Sequence, residues 1–181
     1  YLVGKKKQII SAVSRKVSKG TKPFYLNAKT DGDGKLTYKS SNSKVAKISS
    51  TGKLEVKEYG TATITIKASE TAMHSEAVKK IKIIVVPKKM SLKKVFSSGR
   101  TGLSVLWKKN NKITGYEIYF SARKDFKRET YKRLFKKSKS RMDVVGLKSR
   151  KKYYVKIRCY KVMGKKKYYS AWSKVRKVKV R

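Results

Sequence analysis

The chain has 181 residues, 39% hydrophobic and 10% aromatic, enough apolar surface for one medium or two small cores, which excludes wholesale disorder. Its 51 Lys and Arg against 10 Asp and Glu give a net charge of +41, which opposes compaction by self-repulsion and favours any polyanion as partner. One cysteine, Cys159, excludes an intrachain disulfide, and no apolar run is long enough to span a bilayer.

Along the chain the dominant hydrophobic period is two, the period of a strand with one dry face. In TATITIKAS, residues 61–69, Ala62, Ile64, Ile66 and Ala68 alternate with Thr61, Thr63, Thr65 and Lys67. KKIKIIVV, residues 79–86, repeats the pattern with Ile81, Ile83 and Val85. LSVLW, residues 103–107, sets Leu103, Val105 and Trp107 on one side, and YEIYF, residues 116–120, does so with Tyr116, Ile118 and Phe120. YVKIRC turns Val155, Ile157 and Cys159 inward and Lys156 and Arg158 outward; VRKVKVR turns Val178 and Val180 inward. Turn-forming clusters separate these runs: KTDGDGK, SSTGK, SSGRTG, KKNNK and VMGKKK. No segment has the period of an amphipathic helix. The pattern predicts an all-β protein of antiparallel strands. The basic stretch GLKSRKKYYVKIRCY, residues 146–160, is therefore expected to be a turn and a folded strand, its charge on the solvent side.

The Val86–Pro87 step is the best boundary, because proline cannot continue a central strand. It predicts a first domain over 1–86, a linker over 87–90 and a second domain over 91–181, each the size of a β-sandwich. Charge is unequal between the halves: residues 1–86 carry 18 basic and 6 acidic side chains, residues 87–181 carry 33 and 4. The chain begins at Tyr1 with no charged-then-apolar leader, so it reads as a piece of a longer or processed protein whose targeting signals lie upstream.

Within SSNSKVAKISSTGKLEVKEYGTATITIKAS, residues 40–69, the order Ser41-Asn42-Ser43, Val45-Ala46, Gly52, Leu54 and Val56, Gly60-Thr61-Ala62 and Ile64 resembles the group 2 bacterial immunoglobulin-like domains. These occur in intimin- and invasin-like adhesins and in many Gram-positive surface proteins. Gly52 and Gly60 would occupy turns, and Val45, Ile48, Leu54 and Val56 would fill the core. The second half resembles a fibronectin type III domain. Trp107 stands where that family keeps a core tryptophan, GYEIYFS (115–121) looks like its third strand, and YYSAWSKV (168–175) looks like the run into its last strand. Leu147 and Tyr153 resemble its tyrosine corner, whose hydroxyl bonds back to the preceding loop. The family's linker and strand-edge prolines are mostly missing. The resemblance implies two tandem immunoglobulin-like antiparallel β-sandwiches, extracellular or at a cell surface, and not an enzyme; it implies no ligand, since both folds serve many binding roles and plain spacing.

No catalytic constellation stands out. DGDGK, residues 31–35, begins like a calcium loop, but Lys35 and Asn42 occupy positions where that loop needs oxygen donors, so a glycine-rich hairpin turn is expected. His74 is the sole histidine, so no metal site or cofactor is predicted, and it reads as an exposed or capping loop residue. Cys159 reads as a small core residue, and Glu55 and Glu58 as local partners for lysine. What rises above background is the basic surface. The candidate polyanion-binding residues are Lys151, Lys152, Lys156, Arg158, Lys165 and Lys166, with Lys167, Lys177, Lys179, Tyr154 and Tyr160; Tyr119 shares the outward set. Lysine outnumbers arginine, which favours loose, salt-sensitive attachment over a fixed bidentate pocket. The expected partners are anionic cell-wall polymers such as teichoic acid, or acidic host glycans. Nucleic acid is the alternative partner, although no helix-turn-helix, zinc-finger or RNA-recognition signature is present; a plain spacer is the third reading.

Overall fold

The computed structural model describes residues 4–181; among these there is no helix, and the chain divides into two compact units after Val86. In the first unit the strands are β1 (Ile10–Ser11), β2 (Arg15–Ser18), β3 (Phe24–Tyr25), β4 (Lys29–Thr30), β5 (Leu36–Ser40), β6 (Ala46–Ile48), β7 (Lys53–Val56), β8 (Gly60–Ala68) and β9 (Ala77–Val86). They form a four-stranded sheet, β2-β9-β8-β5, a three-stranded sheet, β3-β7-β6, and the small pair β1-β4. Alternation places Ala62, Ile64, Ile66 and Ala68 of β8 and Ile81, Ile83 and Val85 of β9 in the core, beside Ala46, Leu54 and Val45. Burying each large aliphatic side chain contributes about 1.5–3 kcal/mol. Ile48 and Val56, expected in the core, are half-buried at its margin. One pairing departs from the expected antiparallel pattern: β2 runs parallel to β9, with Arg15 opposite Ile83. A parallel pair requires a long crossover, and most of the unit lies between these two strands. The four residues of β2, RKVS, are too few for an alternation that declares direction.

Two glycines have positive φ for a reason of space as well as backbone. A Cβ on Gly52 (φ +78°) would stand 2.8 Å from the Tyr38 ring, and one on Gly60 (φ +141°) 2.8 Å from Val45. The DGDGK segment is not the expected hairpin turn. Its flanking strands β4 and β5 pair with β1 and β8 respectively, so the segment passes from one sheet to another. Its glycines make room for the buried side chain of Gln8, whose Nε2 donates to the Ser69 carbonyl at 2.9 Å and the Ser75 carbonyl at 2.7 Å. Asp33 lies 2.7 Å from His74 Nδ1 and accepts from Thr71, and these hydrogen bonds hold its carboxyl below the usual carboxylate range. Asp33 and His74 thus pin a loop. Glu55 pairs with Lys57 and Glu58 with Lys19, each at 2.5 Å.

The second unit contains β10 (Leu92–Ser97), β11 (Leu103–Trp107), β12 (Gly115–Ser121), β13 (Thr130–Lys136), β14 (Arg141–Val144), β15 (Lys152–Met163), β16 (Lys166–Tyr169) and β17 (Arg176–Lys179). A three-stranded sheet, β10-β11-β14, faces a five-stranded one, β13-β12-β15-β16 with β17 on β15. Between them lie Leu103, Val105, Trp107, Tyr116, Ile118, Phe120, Val155, Ile157 and Cys159. The Trp107 ring meets Tyr116 edge-on with centroids 5.4 Å apart, and Phe135 at the same distance. Met90 packs against this core and Pro87 is buried, so residues 87–90 run along the second unit. Cys159 is buried, its Sγ 3.6 Å from the Lys88 carbonyl, and burial pushes its thiol up.

The Tyr153 hydroxyl accepts from the Lys148 amide at 3.1 Å, closing the turn ahead of β15. Tyr153→Phe is expected to lower unfolding stability by about 1 kcal/mol without altering the fold, read from the denaturant midpoint at unchanged slope.

Candidate polyanion-binding face

Strand β15 organises the face. Its odd-numbered residues Tyr153 to Cys159 point into the core, so Lys152, Tyr154, Lys156, Arg158 and Tyr160 point out. Register then supplies their neighbours. Tyr154 stands opposite Ser121 and Lys177, Lys156 opposite Tyr119, Arg158 opposite Glu117, Tyr160 opposite Gly115 and Tyr169, and Lys152 opposite Lys179. The predicted residues Lys152, Tyr154, Lys156, Arg158, Tyr160, Lys177 and Lys179 therefore share one face, with Lys167 over the Tyr160 ring at 5.2 Å. Lys165 and Lys166 lie at the exposed β15–β16 turn, and Lys151 lies before β15, its ammonium 3.1 Å from Glu129.

The last edge of the sheet is built without a continuous strand. Between β16 and β17 the chain is held to β15 by two buried serines. Ser170 Oγ accepts from the Cys159 amide at 3.1 Å and Ser173 Oγ from the Ile157 amide at 3.0 Å, while the Ser170 and Ser173 amides donate back to Cys159 and Ile157 at 2.9 and 2.8 Å. This side-chain ladder satisfies β15 where no strand partner runs. It also lays Trp172, between the two serines, across the outer face.

At the centre of the face the cations do not stand in open water, as the alternation alone predicts. Lys156 Nζ lies 4.2 Å from the Phe126 ring centroid, 4.7 Å from Trp172 and 5.5 Å from Tyr119. Burial, and secondarily the charge of Arg158, hold the Lys156 ammonium below the usual lysine range. The Arg158 guanidinium lies between Tyr169 and Trp172, at 3.9 and 4.4 Å from their ring centroids. Beneath it sits Glu117, wholly buried, accepting from Arg158 Nε at 2.5 Å and paired with Lys132 at 2.8 Å. Burial alone would raise the Glu117 carboxyl, but the bonds from Arg158 and Lys132 outweigh it and hold it below its ordinary value. Lys156 and Arg158 are thus rungs of a cation–aromatic stack over one buried carboxylate. Phe126 takes its place there with φ +56°, an uncommon conformation for an aromatic residue, in a turn where Asp125 accepts from the Lys127 amide. Arg123 is the main cause of the low Asp125 carboxyl, down to about 2.

The exposed ring around this stack is different in kind. Lys152, Lys165, Lys166, Lys167, Lys177 and Lys179 are exposed, and the four carboxylates of the second unit, Glu117, Asp125, Glu129 and Asp143, are each already engaged in an ion pair. The chain so arranged can attract anions over an area; among the described residues no group of three or more His, Cys, Asp or Glu side chains is placed to hold a metal ion. Among the described residues no helix is long and apolar enough to cross a membrane.

No curated protein sequence matches the chain. Among solved structures, the FN1–FN3 domains of chicken CNTN1 align over 98% of this chain and 69% of that one at 12% identity and TM-score 0.46. The FN5 domain of Drosophila Lar aligns over 52% and 97% at 25% identity and TM-score 0.41. The sixth fibronectin type III domain of human fibronectin type III domain containing protein 3 aligns over 52% and 86% at 16% identity and TM-score 0.43. Residues 25–70 match the intimin immunoglobulin-like domain family, and residues 87–176 match the fibronectin type III domain family. The chain therefore joins an intimin-type immunoglobulin-like domain to a fibronectin type III domain, modules typical of extracellular adhesion or spacing.

Proposed function

We propose that this chain is a non-catalytic adhesive or wall-associating segment of a secreted or surface bacterial protein, holding anionic polymers such as teichoic acid or acidic glycans by its fibronectin type III unit. The observation that supports this reading most directly is charge left over after internal pairing. Residues 87–181 carry 33 basic side chains against 4 acidic ones, and those four carboxylates are spent inside the unit. Evenly spread self-repulsion of that size costs stability and is relieved by a bound polyanion. The working residues in this reading are the exposed Lys152, Lys165, Lys166, Lys167, Lys177 and Lys179, with Tyr154 and Tyr160 as flat surfaces for sugar rings. Lys156 and Arg158 set the shape of the face, and Lys151 contributes less because Glu129 offsets its charge.

The chain is expected to be retained on immobilised heparin and on teichoic acid at about 50 mM salt, and to be released as ionic strength rises. Lys152→Glu/Lys177→Glu/Lys179→Glu is expected to weaken binding at least tenfold at about 0.1 M salt and to flatten the dependence of affinity on salt. Flow-through of the unaltered chain on both columns would refute the proposal. Duplex DNA displacing teichoic acid at equal phosphate would reassign the charge to nucleic acid.

A further inference from the structure

We propose that the second unit carries a separate groove for an acidic peptide segment with an apolar side chain. The groove is open to solvent and offers about 760 Å³, a volume in the range of small-ligand pockets. Its cations are Lys89, Lys108, Lys109, Lys112, Lys174 and Arg176, and no carboxylate lines it. It shares none of its lining with the outer face of β15.

Three features choose the occupant. First, Met90 supplies an apolar spot among the cations, lying over the core residue Leu92. Leu92 is buried and Met90 half-buried, and methionine adapts its shape to an incoming side chain. A hydrophilic polyanion offers this spot nothing. Second, Asn110 and Asn111 place two amides in the wall, and Ser91 a hydroxyl. A peptide backbone has both donors and acceptors to satisfy them, whereas an acyl chain would bury them unpaired. The wall carrying them is anchored: the Asn110 backbone N–H donates to the buried Tyr116 hydroxyl at 2.7 Å, and the Asn110 side-chain Oδ1 accepts from the Lys112 backbone N–H at 3.0 Å. Third, no aromatic side chain lines the groove, so it has no platform on which a nucleobase would stack. Cations without a counter-ion, an apolar spot and amides together fit an extended segment in which Asp or Glu alternates with Leu or a similar residue.

The test uses the whole chain and two fluorescent peptides of equal length and charge, one alternating Glu with Leu and one alternating Glu with Ser, read by anisotropy at about 0.15 M salt, where exposed charges are largely screened. The Glu–Leu peptide is expected to bind at least tenfold more tightly than the Glu–Ser peptide. Met90→Ser is expected to reduce that preference about threefold or more and to leave heparin retention unchanged. Lys108→Glu/Lys109→Glu, both on the surface, is expected to weaken the Glu–Leu peptide at least tenfold, with an unchanged thermal midpoint confirming the fold. Equal binding of the two peptides overturns the proposal, as does a Met90→Ser variant that loses peptide and heparin in step. Dodecyl sulfate monomers displacing the peptide at lower concentration than free peptide does would make the groove an acyl-anion site and overturn it too. Heparin retention is scored separately, so failure of the groove leaves the lysine face standing, and the reverse.

Discussion

Glu117→Ala is expected to lower the stability of the fibronectin type III unit by about 3–5 kcal/mol, the usual cost of removing one partner from a buried ion pair. Glu117 is wholly enclosed beneath Arg158, and its two cations approach within 2.5 and 2.8 Å. Without it the Arg158 guanidinium is held under Tyr169 and Trp172 with no counter-charge, next to Lys132 and Lys156. A unit of this size loses about 4–8 °C per kcal/mol, so the melting temperature is expected to fall by at least ~12 °C. Glu117→Gln keeps an acceptor for Arg158 and is expected to cost less, about 2 kcal/mol. The same carboxylate sets a pH dependence. Its folded value lies below the ordinary 4.5, so its contribution is fully present above that pH and is lost as pH falls through the lowered folded value. The difference between the unaltered chain and Glu117→Gln is therefore expected to be constant near neutrality and to shrink in acid below that ordinary value. A difference that grows as pH falls, in urea titrations between pH 7 and pH 3, contradicts the assignment.

Trp172→Ala is expected to cost about 2–3 kcal/mol, below the range for a fully enclosed tryptophan because the ring is half-exposed. Area is only part of the effect. The indole meets Lys156 and Arg158 at 4.7 and 4.4 Å and Tyr119 at 4.6 Å, so its loss uncovers two cations at once. Trp172→Phe retains a smaller π face and is expected to recover about half of the loss. The buried serines on either side hold the backbone to β15 independently of the ring, so the sheet edge is expected to survive in Trp172→Ala. Amide exchange reads this directly: the Ile157 and Cys159 amides remain protected while global stability falls. Loss of that protection would show that the ring, not the serines, secures the edge.

Legibility of the fold followed the clarity of alternation. β8, β9, β11, β12 and β15 are readable because one face carries an apolar residue at alternate positions, and burial against a facing sheet makes that spacing obligatory. β13 was not readable: TYKRLFK lies at a sheet edge with five of its residues exposed, so little apolar patterning is required of it. β16 begins inside the cluster VMGKKK, expected as a turn, and the expected run into the last strand, residues 168–175, is mostly not strand, since Ser170 and Ser173 substitute hydroxyls for strand pairing. The glycine-rich DGDGK segment was misread because its purpose is set by Gln8, more than twenty residues earlier.

The sequence by itself determined that the chain is all-β, that its basic residues vastly exceed its acidic ones, and that Tyr154, Lys156, Arg158 and Tyr160 of β15 turn away from the core. These are properties of residue type and of period two, which any strand must express locally. Only the tertiary structure decided which of those cations remain available. Glu117, Phe126 and Trp172 come from three separate segments, and their meeting at Lys156 and Arg158 depends on strand register and on a backbone path set by two serines. No local pattern encodes contacts between segments this far apart in the chain, so the separation of a locked cationic centre from an exposed lysine rim appears only when the sheet is assembled.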